Sequence, residues 1–525
     1  MMSNPYNQLD YPGHMRVQAH PRRLEAIAHL YGLTAPPVAT CRLLEMGCGD
    51  GAHLIGIAAE LPDVQCVGYD LAEAGLVAGN QAIARLGLKN ISLHQGDIME
   101  LADKLGEFDY IVAHGLYSWV PPAVREGLLA LCGRALTKNG VAFISYHVLP
   151  GGHMRRMLDE MLRYHVRNID DPLAKVAAAR QFSDTLSEWR PDNHPYAAVL
   201  HQERDRLTEM KDYSVFHDDL AEWNDPILVS DFAAHAARHG LSYLADADFT
   251  TNQPRQAPQA LLDSLKGKSR LEREQYHDFW AQRVFRHTLL HRTEQPVLDN
   301  PNPAAVETMY VMGLMSCDST DPAQLAGEAR VVFRSEEQDP VVSITIAHPA
   351  FKAALLEIIR LWPEAVSFDA WVEAVRRTLT ASGPSPYADM DPATLRAGLR
   401  GLALQGYTSG FLDLVVTPPR LTAHPGQKPR AYSLARLQAE SAQDVMTLVG
   451  KQTKIEGALR CQLLRSLDGT RDRDQIVREL LPHCAPDRPD LPPELRNAPD
   501  LPAALSAFVD ETISKLSRTA LFQPE

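Results

Sequence analysis

The sequence lacks the excess of basic residues that is typical of proteins binding nucleic acid. Its 525 residues include 52 Lys and Arg against 66 Asp and Glu, which gives a formal net charge of −14. Proteins that neutralise phosphates usually present a basic surface, and anionic membranes attract the same kind of surface. The charge balance therefore disfavours nucleic acid as a partner.

The sequence also lacks long apolar runs and paired cysteines. No run reaches the roughly 18 apolar residues of a membrane-spanning helix, so membrane insertion is not expected. The seven cysteines form no C-x-x-C pair and have no spacing typical of zinc sites, so no metal site is predicted. An odd number of cysteines, without an apolar secretion signal at the N-terminus, predicts a cytoplasmic location.

The length of the chain predicts more than one domain, because single domains usually hold roughly 100–200 residues. The predicted organisation is an N-terminal lid segment, an α/β domain with a helical insert, a connector and a C-terminal region. These parts are assigned to residues 1–40, 41–295 with the insert at 151–212, 296–340 and 341–525.

Strands and helices are predicted to alternate from Cys41 onwards. Five strands are predicted at 41–47, 65–70, 91–97, 108–114 and 141–147, with helices at 51–60, 73–86 and 121–136 between them. A helix–strand pair at 230–249, a helix over 257–281 and a last strand at 284–291 complete the pattern. Strands separated by helices of this length are typical of a parallel sheet with helices on both faces. The fold class is therefore predicted to be α/β, with a Rossmann-like sheet.

The C-terminal region is predicted to be mainly helical and similar to a winged helix. Helices predicted at 348–361, 367–379 and 393–405 precede a hairpin predicted at 406–416. The third of these helices offers only Arg396 and Arg400 as basic residues, which is a poor surface for binding phosphates. Protein binding or substrate presentation is therefore favoured over DNA binding.

A glycine-rich loop between the first predicted strand and helix is the strongest functional signal. It has the sequence EMGCGDG at 45–51. Glycines are needed where the chain turns sharply and a ligand contacts bare backbone. The N-terminus of the following helix favours a carboxylate, such as the one at the methionine end of S-adenosylmethionine. Glu45, Gly47, Gly49 and Gly51 are therefore predicted to bind this cofactor.

Acidic residues close the next two predicted strands at the same edge of the sheet. Asp70 is suited to accept hydrogen bonds from both ribose hydroxyls, and Asp97 from the adenine amino group. Leu71 and Ile98, which follow them, are predicted to line the adenosyl group. Gly47-x-Gly49-x-x-Ala52 also satisfies a loose NAD fingerprint, but Glu45 would repel a pyrophosphate, so NAD is the less favoured alternative.

Polar and aromatic residues follow the fourth and fifth predicted strands at this edge. Tyr117, Trp119 and Tyr146 are predicted to form an aromatic cage for a cationic or methylated nitrogen. His114 and His147 are predicted to position the acceptor or to relay a proton, and His114 is also predicted to contact the cofactor. Each of these side chains has an alternative interpretation as an ordinary core residue.

These motifs together resemble the rickettsial-type protein lysine methyltransferases, which act on outer-membrane proteins. The resemblance runs nearly end to end. It is carried by HPRRL at 20–24, the glycine loop, HGLYSWVP at 114–121, SY at 145–146 and PG at 150–151. Residues 213–295 resemble the methyltransferase regulatory domain of that family, and 348–416 with 463–480 resemble its winged-helix region.

The resemblance implies a class I methyltransferase that uses S-adenosylmethionine to methylate lysine side chains of a protein acceptor. Upstream of the sheet, Tyr11-Pro12 and residues 19–24, which include His20, are predicted to form a lid over the cofactor, with an ordinary helix start as the alternative. The sequence departs from the family pattern at Ala52-His53, His147 and Gly152, close to the predicted pocket. A small-molecule methyltransferase and a non-catalytic S-adenosylmethionine sensor are the alternatives. The oligomeric state and the identity of the acceptor are left open.

Overall fold

A computed structural model describes residues 8–101, 104–189, 193–252, 257–336, 341–381, 387, 389–485 and 491–524. Residues 1–7 of the predicted lid segment lie outside the described residues. Within the part that the structure describes, no helix is long and apolar enough to cross a membrane.

A seven-stranded sheet forms the centre of the N-terminal domain. Its strands are β1 Arg42–Met46, β2 Gln65–Asp70, β3 Ile91–Gln95, β4 Phe108–Ala113, β5 Leu136–His147, β6 Leu241–Asp246 and β7 Phe285–Arg292. The strand order is β3-β2-β1-β4-β5-β7-β6, and only β7 in this sheet is antiparallel to its neighbours. This order confirms the predicted α/β class and the Rossmann-like sheet.

Helices cover both faces of this sheet. They are α1 Pro21–Leu30, α2 Ala52–Glu60, α3 Glu73–Leu86, α4 Ile98–Leu101 and α5 Pro122–Ala135. The strands alternate between two apolar clusters, so that Leu43 and Leu44 of β1 face opposite sides of the sheet. Gly87, in the left-handed conformation, ends α3 where the sequence predicted its end.

A helical segment follows β5 where the insert is predicted. Its helices are α6 Gly152–Val166, α7 Pro172–Glu188, α8 Pro195–Glu209 and α9 Asp212–Ser214. Leu158, Leu162 and Leu207 belong to a separate apolar cluster inside this insert. The insert ends in a π-helical turn, Val215–Asp219, a conformation that is found frequently at functional sites.

The chain returns to the sheet through three helices. These are α10 Val229–Ala237, α11 Gln259–Ser264 and α12 Arg270–Ala281. The prediction of one continuous helix over 257–281 is wrong, because Gly267 adopts a φ of +79° between α11 and α12. A capping box of Ser269 and Glu272 then starts α12.

The next part of the chain contains small antiparallel sheets and four helices. Its elements are β8 Tyr310–Met312, β9 Met315–Cys317, α13 Pro322–Ala326, β10 Val331–Ser335, β11 Ser343–Ile346, α14 Pro349–Leu361, β12 Val366–Ser367, α15 Phe368–Ala381, α16 Pro392–Thr408 and β13 Asp413–Val415. The hairpin predicted at 406–416 is wrong. Helix α16 continues to Thr408, and β13 pairs with β8, where Leu414 lies opposite Val311 and both are buried.

The last part of the chain packs against the domain of the seven-stranded sheet. Its elements are β14 Arg430–Ala431, α17 Ser433–Gln438, β15 Asp444–Met446, β16 Gln452–Lys454, α18 Ala458–Ser466, α19 Arg473–Leu480, α20 Pro493–Arg496, α21 Leu501–Ser517 and β17 Phe522–Gln523. The buried Tyr432 hydroxyl donates to the Gly56 carbonyl in α2 at 2.6 Å. This hydrogen bond ties the C-terminal region to the helix that follows the glycine loop.

Candidate functional site

The glycine loop presents bare backbone at the carboxyl edge of β1. Gly49 has a φ of +58°, and a Cβ added to it would meet no heavy atom of the described residues within 4 Å. Gly51 has a φ of +70°, and its added Cβ would lie 2.5 Å from the Leu93 side chain. Position 51 requires glycine because a side chain there would collide with its neighbours. Position 49 requires glycine because its backbone is left-handed, and the space beside this backbone is open. This open space is a cradle that a ligand can enter.

Asp70 lies at the end of β2 and is held against the glycine loop. Its Oδ2 accepts a hydrogen bond from the Gly49 N–H at 2.8 Å, and its Oδ1 accepts one from Ala72 N–H at 2.8 Å. Burial raises the pKa of Asp70, while these two hydrogen bonds oppose the shift. Each carboxylate oxygen keeps a further lone pair, which fits the predicted ribose contact. Leu71 beside it is 57% exposed, which is unusual for a large apolar side chain.

Asp97 follows β3 and starts α4. Its Oδ1 accepts a hydrogen bond from the Met99 N–H at 2.9 Å, which fixes the carboxylate at the same sheet edge as Asp70. Ile98 is buried and packs in the apolar cluster with Leu128. Only a small edge of Ile98 is therefore accessible to an adenine ring, and its contact with the ring stays a prediction.

Glu45 has a buried carboxylate oxygen that makes no hydrogen bond to the described residues. The side chain is almost fully buried, and its Oε2 has no hydrogen-bond partner among the described residues. Burial raises the pKa of Glu45 to about 8, while the charge of Arg16 opposes the shift. A buried unpaired acceptor is costly, so this oxygen fits a ligand that donates a hydrogen bond.

Arg16 is a candidate site residue that the sequence interpretation missed. Its charge affects the pKa of both Glu45 and His114, which places the guanidinium close to the crevice. The residue belongs to no recognisable motif, and its position results from the path of the N-terminal segment. The only local signal was a lone arginine in a polar stretch.

The N-terminal segment runs from the glycine loop to the helical insert. On the loop side, the Gly13 N–H donates to Asp50 Oδ2 at 2.9 Å. On the insert side, the His217 ring pairs with the Leu9 carbonyl at 2.8 Å, and the Tyr11 hydroxyl donates to Asp218 Oδ2 at 3.4 Å. Residues 9–13 therefore bridge the two walls of the crevice, where a lid was predicted.

His20 lies at the end of α2 that is far from the glycine loop. Its prediction as a cofactor contact is therefore corrected. Its Nδ1 caps α1 by accepting from the Arg22 N–H at 3.2 Å, and its Nε2 pairs with Glu60 Oε2 at 3.1 Å. Glu60 ends α2, about 12 Å along that helix from the glycine loop at its start. Both ring nitrogens are engaged in this buried contact, which also includes Arg22, so His20 joins α1 to α2.

Tyr117 and Tyr146 do not form the predicted aromatic cage with Trp119. Both tyrosines are buried in the core, with ring centroids 5.6 Å apart. The Tyr117 hydroxyl bonds His235 Nδ1, and the Tyr146 hydroxyl bonds Thr288 Oγ1, each at 2.8 Å. Successive side chains on a strand alternate between faces, so Tyr146 points away from the side that His147 occupies. The cage prediction is therefore corrected for both tyrosines.

A different group of rings lines the acceptor side, and we call it the aromatic cluster: His114, Trp119, His147, Phe285 and His287. The Trp119 and His147 ring centroids are 4.7 Å apart, and Phe285 lies 5.3 Å from His147. His114 stacks on His287 at 5.9 Å with an interplanar angle of 26°. Burial lowers the pKa of His114 well below its usual value, and Arg16 adds to this effect. The His114 ring is therefore neutral near pH 7.

The sequence interpretation missed Phe285 and His287. They lie on the same face of β7, because residues two apart on a strand share a face. The antiparallel register places them opposite His147 and Ser145 of β5, respectively. Aromatic residues two apart at the start of a strand were a visible signal, but the partner strand and its register were not predictable from local sequence.

His147 is fixed in place by contacts from the helical insert and from the segment that follows it. Its Nδ1 bonds Asn224 Oδ1 at 2.5 Å, and Arg155 Nη1 lies 3.4 Å from its Nε2. Burial, followed by the charge of Arg155, lowers the pKa of His147 to about 4. Both ring nitrogens are engaged and the ring is neutral near pH 7, so the geometry favours a positioning role over proton relay.

Two adjacent acids in the π-helical turn have different environments. Asp219 is fully buried and pairs with Arg206 at 2.6 Å and Arg155 at 3.3 Å. Asp218 is partly exposed beside Tyr11, and burial together with the charge of Asp219 raises its pKa to about 7. A carboxyl with this pKa exchanges protons near neutral pH. Asp218 was not predicted as a site residue, because its position depends on the π-helical turn.

Three protein-family models match separate parts of the chain. One described as "Methyltransferase domain" matches residues 43–140, which contain the glycine loop and β1 to β4. One described as "Predicted methyltransferase regulatory domain" matches residues 211–292. One described as "PKMT, C-terminal winged helix domain" matches residues 427–521.

Two curated proteins of Rickettsia prowazekii are similar to the chain. The uncharacterized protein RP789 is 29% identical, with 99% of this chain and 93% of that protein covered. The uncharacterized protein RP028 is 33% identical, with 42% of this chain and 88% of that protein covered. The first similarity extends over all the regions described above.

A solved structure is similar over nearly the whole chain. It is PKMT2 from Rickettsia typhi in complex with AdoHcy, with a TM-score of 0.84 and 25% sequence identity. The match covers 98% of this chain and 99% of that chain. The agreement includes the helical insert and the C-terminal region as well as the central sheet.

Proposed function

Because the chain belongs to the rickettsial-type protein lysine methyltransferase family, we propose that it methylates lysine side chains of a protein acceptor with S-adenosylmethionine. The observation that carries this proposal is the crevice in which the open backbone of Gly49, the carboxylate of Asp70 and the unpaired Glu45 oxygen meet. The similar PKMT2 was solved with AdoHcy, a ligand of the chemistry that this crevice suits.

The residues of the crevice fit the methionine end of the cofactor. The N-terminus of α2 and the guanidinium of Arg16 would bind a carboxylate, since both carry positive charge. The unpaired oxygen of Glu45 would accept a hydrogen bond from an ammonium group. The crevice therefore offers positive charge to the carboxylate of the ligand and the Glu45 oxygen to its ammonium group.

The remaining cofactor contacts follow the ends of β2 and β3. Asp70 would accept from the ribose hydroxyls, and Asp97 from the adenine amino group. Leu71, which exposes much of its side chain, would cover one face of the adenosyl group. When bound, S-adenosylmethionine supplies a methyl group on a positively charged sulfur.

The acceptor amine would lie beside the aromatic cluster. A lysine amine has a pKa of ~10.4 in water and must lose its proton before it can accept a methyl group. Burial and then the charge of Arg16 lower the pKa of His114, and burial and then the charge of Arg155 lower the pKa of His147. The pKa of a lysine amine in the same place would be lowered for the same reasons. Asp218, with its pKa near 7, is the candidate acceptor for the released proton.

The test is transfer of a radiolabelled methyl group from S-adenosylmethionine, in the presence of bacterial outer-membrane proteins. The expected result is label in a protein band, located by mass spectrometry on lysine. Gly49→Ala should remove cofactor binding, because the new Cβ enters the cradle and strains the backbone. Gly87→Ala is the matched control, since Gly87 also has a positive φ of +68° and open space around its Cβ. Label found only in small metabolites would contradict the proposal.

A further inference from the structure

A cluster of metal-ligating side chains lies between α5 and α10, separate from the cofactor crevice. Glu126 comes from α5, and His235 lies in α10 with His239 just beyond its end. One ligand atom from each of the three side chains lies within 4.8 Å of the others. The turn that follows α10 brings the two imidazoles together, with their ring centroids 5.9 Å apart.

Both imidazoles converge on the same carboxylate. His235 Nε2 lies 2.8 Å from Glu126 Oε2, and His239 Nε2 lies 2.8 Å from Glu126 Oε1. Two histidine nitrogens and one carboxylate form a donor set that Zn²⁺ uses in proteins, with a water molecule as the fourth ligand. The three atoms are close enough for a tetrahedral ion to bind after small side-chain rotations.

A neighbouring tyrosine orients one of the histidines. The Tyr117 hydroxyl is hydrogen-bonded to His235 Nδ1 at 2.8 Å, which leaves Nε2 directed at Glu126. Metal-binding histidines usually donate their second ring N–H to such a partner, which fixes the ring and its tautomer. Tyr117 was predicted from the sequence to contact the acceptor. Its buried hydroxyl instead orients His235.

The exposure of the cluster suits a metal ion that enters from solvent. The histidine side chains are only 12% and 16% exposed, while the Glu126 side chain is 50% exposed. Arg238 Nη2 lies 3.1 Å from Glu126 Oε2, but its side chain is 61% exposed and can move into solvent. The two histidine donors are therefore held by the fold, and the competing cation Arg238 is not.

We propose that Glu126, His235 and His239 bind one Zn²⁺ ion, or a similar divalent transition metal ion, which joins α5 to α10. The spacing of the cysteines predicted no metal site. His-x-x-x-His at 235–239 was the available signal, and the third ligand is 109 residues away in the chain. The site is independent of methyl transfer, and its role is to brace the two helices and the turn that carries Tyr117.

The test is isothermal titration of Zn²⁺ into the full-length protein, prepared without a histidine tag and dialysed against a chelator. We expect one ion per chain, and a thermal unfolding midpoint that rises in the presence of Zn²⁺. His239→Ala and Glu126→Gln should each weaken binding by ~10-fold or more, since even loss of a supporting contact has an effect of that size. The control is His165→Ala, which removes an exposed histidine from α6.

Two outcomes would overturn the proposal. The first is no saturable binding to the wild-type protein, in which case Glu126 only pairs with its cationic neighbours. The second is equal Zn²⁺ affinity in the wild type and both ligand variants. Should the variants fold poorly, X-ray absorption of the Zn²⁺-loaded wild type decides the matter. The expected spectrum shows two imidazole ligands, and a spectrum without them would contradict the site.

Discussion

Replacement of Glu45 by Gln tests the crevice through the stability of the protein. The carboxyl is fully buried in the folded chain, and burial raises its pKa from the usual 4.5 to about 8. A difference of this size corresponds to about 5 kcal/mol, since each pKa unit is worth about 1.4 kcal/mol. Gln keeps the size of the side chain but has no charge to bury.

The sign of the effect follows from the direction of the pKa shift. The folded state binds the proton of Glu45 more tightly than the unfolded state. The contribution of this proton to stability is therefore fully present below pH 4.5, and it is lost as the pH rises through 8. The Glu45→Gln variant should gain stability relative to the wild type between pH 5 and pH 9, by up to about 5 kcal/mol.

The assay is urea unfolding of both proteins at several pH values, with and without S-adenosylmethionine. Saturating cofactor should reduce the difference at high pH, because an ammonium group beside Glu45 favours its ionised form. The control is Glu107→Gln, which removes an exposed glutamate just before β4. The reasoning is refuted if wild type and Glu45→Gln have the same dependence of unfolding free energy on pH.

Three further predictions concern the placement of other residues. His20→Ala should destabilise the fold by about 1–3 kcal/mol, because Glu60 loses a buried partner, while the Kd for S-adenosylmethionine measured by titration should not change. Asp218→Asn should lower kcat by about 100-fold or more and abolish the rise in rate through pH 7 that a proton acceptor with that pKa gives the wild type. Trp119→Leu should raise KM for the protein acceptor in steady-state assays and leave cofactor affinity unchanged, because its ring contacts His147 and lies on the acceptor side.

The sheet domain was predictable because its signals are local. The strand Gln65–Asp70 and the helix Glu73–Leu86 begin and end where the sequence predicted, since turn residues and a closing glycine flank them. The short strands of the C-terminal region were not predictable in the same way. Strand β13 pairs with β8, about a hundred residues earlier, and three-residue strands carry no signal for such a distant partner.

The two sides of the crevice differ in how far the sequence predicts them. The cofactor side depends on the glycine loop and on single acids at strand ends, and each of these is visible in a short segment. The acceptor side depends on which face of a strand each ring occupies. Tyr146 and His147 are neighbours in sequence, yet the first enters the core and the second joins the aromatic cluster.

The acceptor side is built by segments that are far apart in the chain. The N-terminal segment contributes Tyr11, the insert contributes Asp218 and Arg155, and β7 contributes its aromatic residues. None of these lies in the glycine loop, so they can change without altering the cofactor cradle. A departure such as His147, which contacts Arg155 of the insert, therefore bears on the acceptor. Relatives with the same loop can thus share a cofactor and differ in the protein that they methylate.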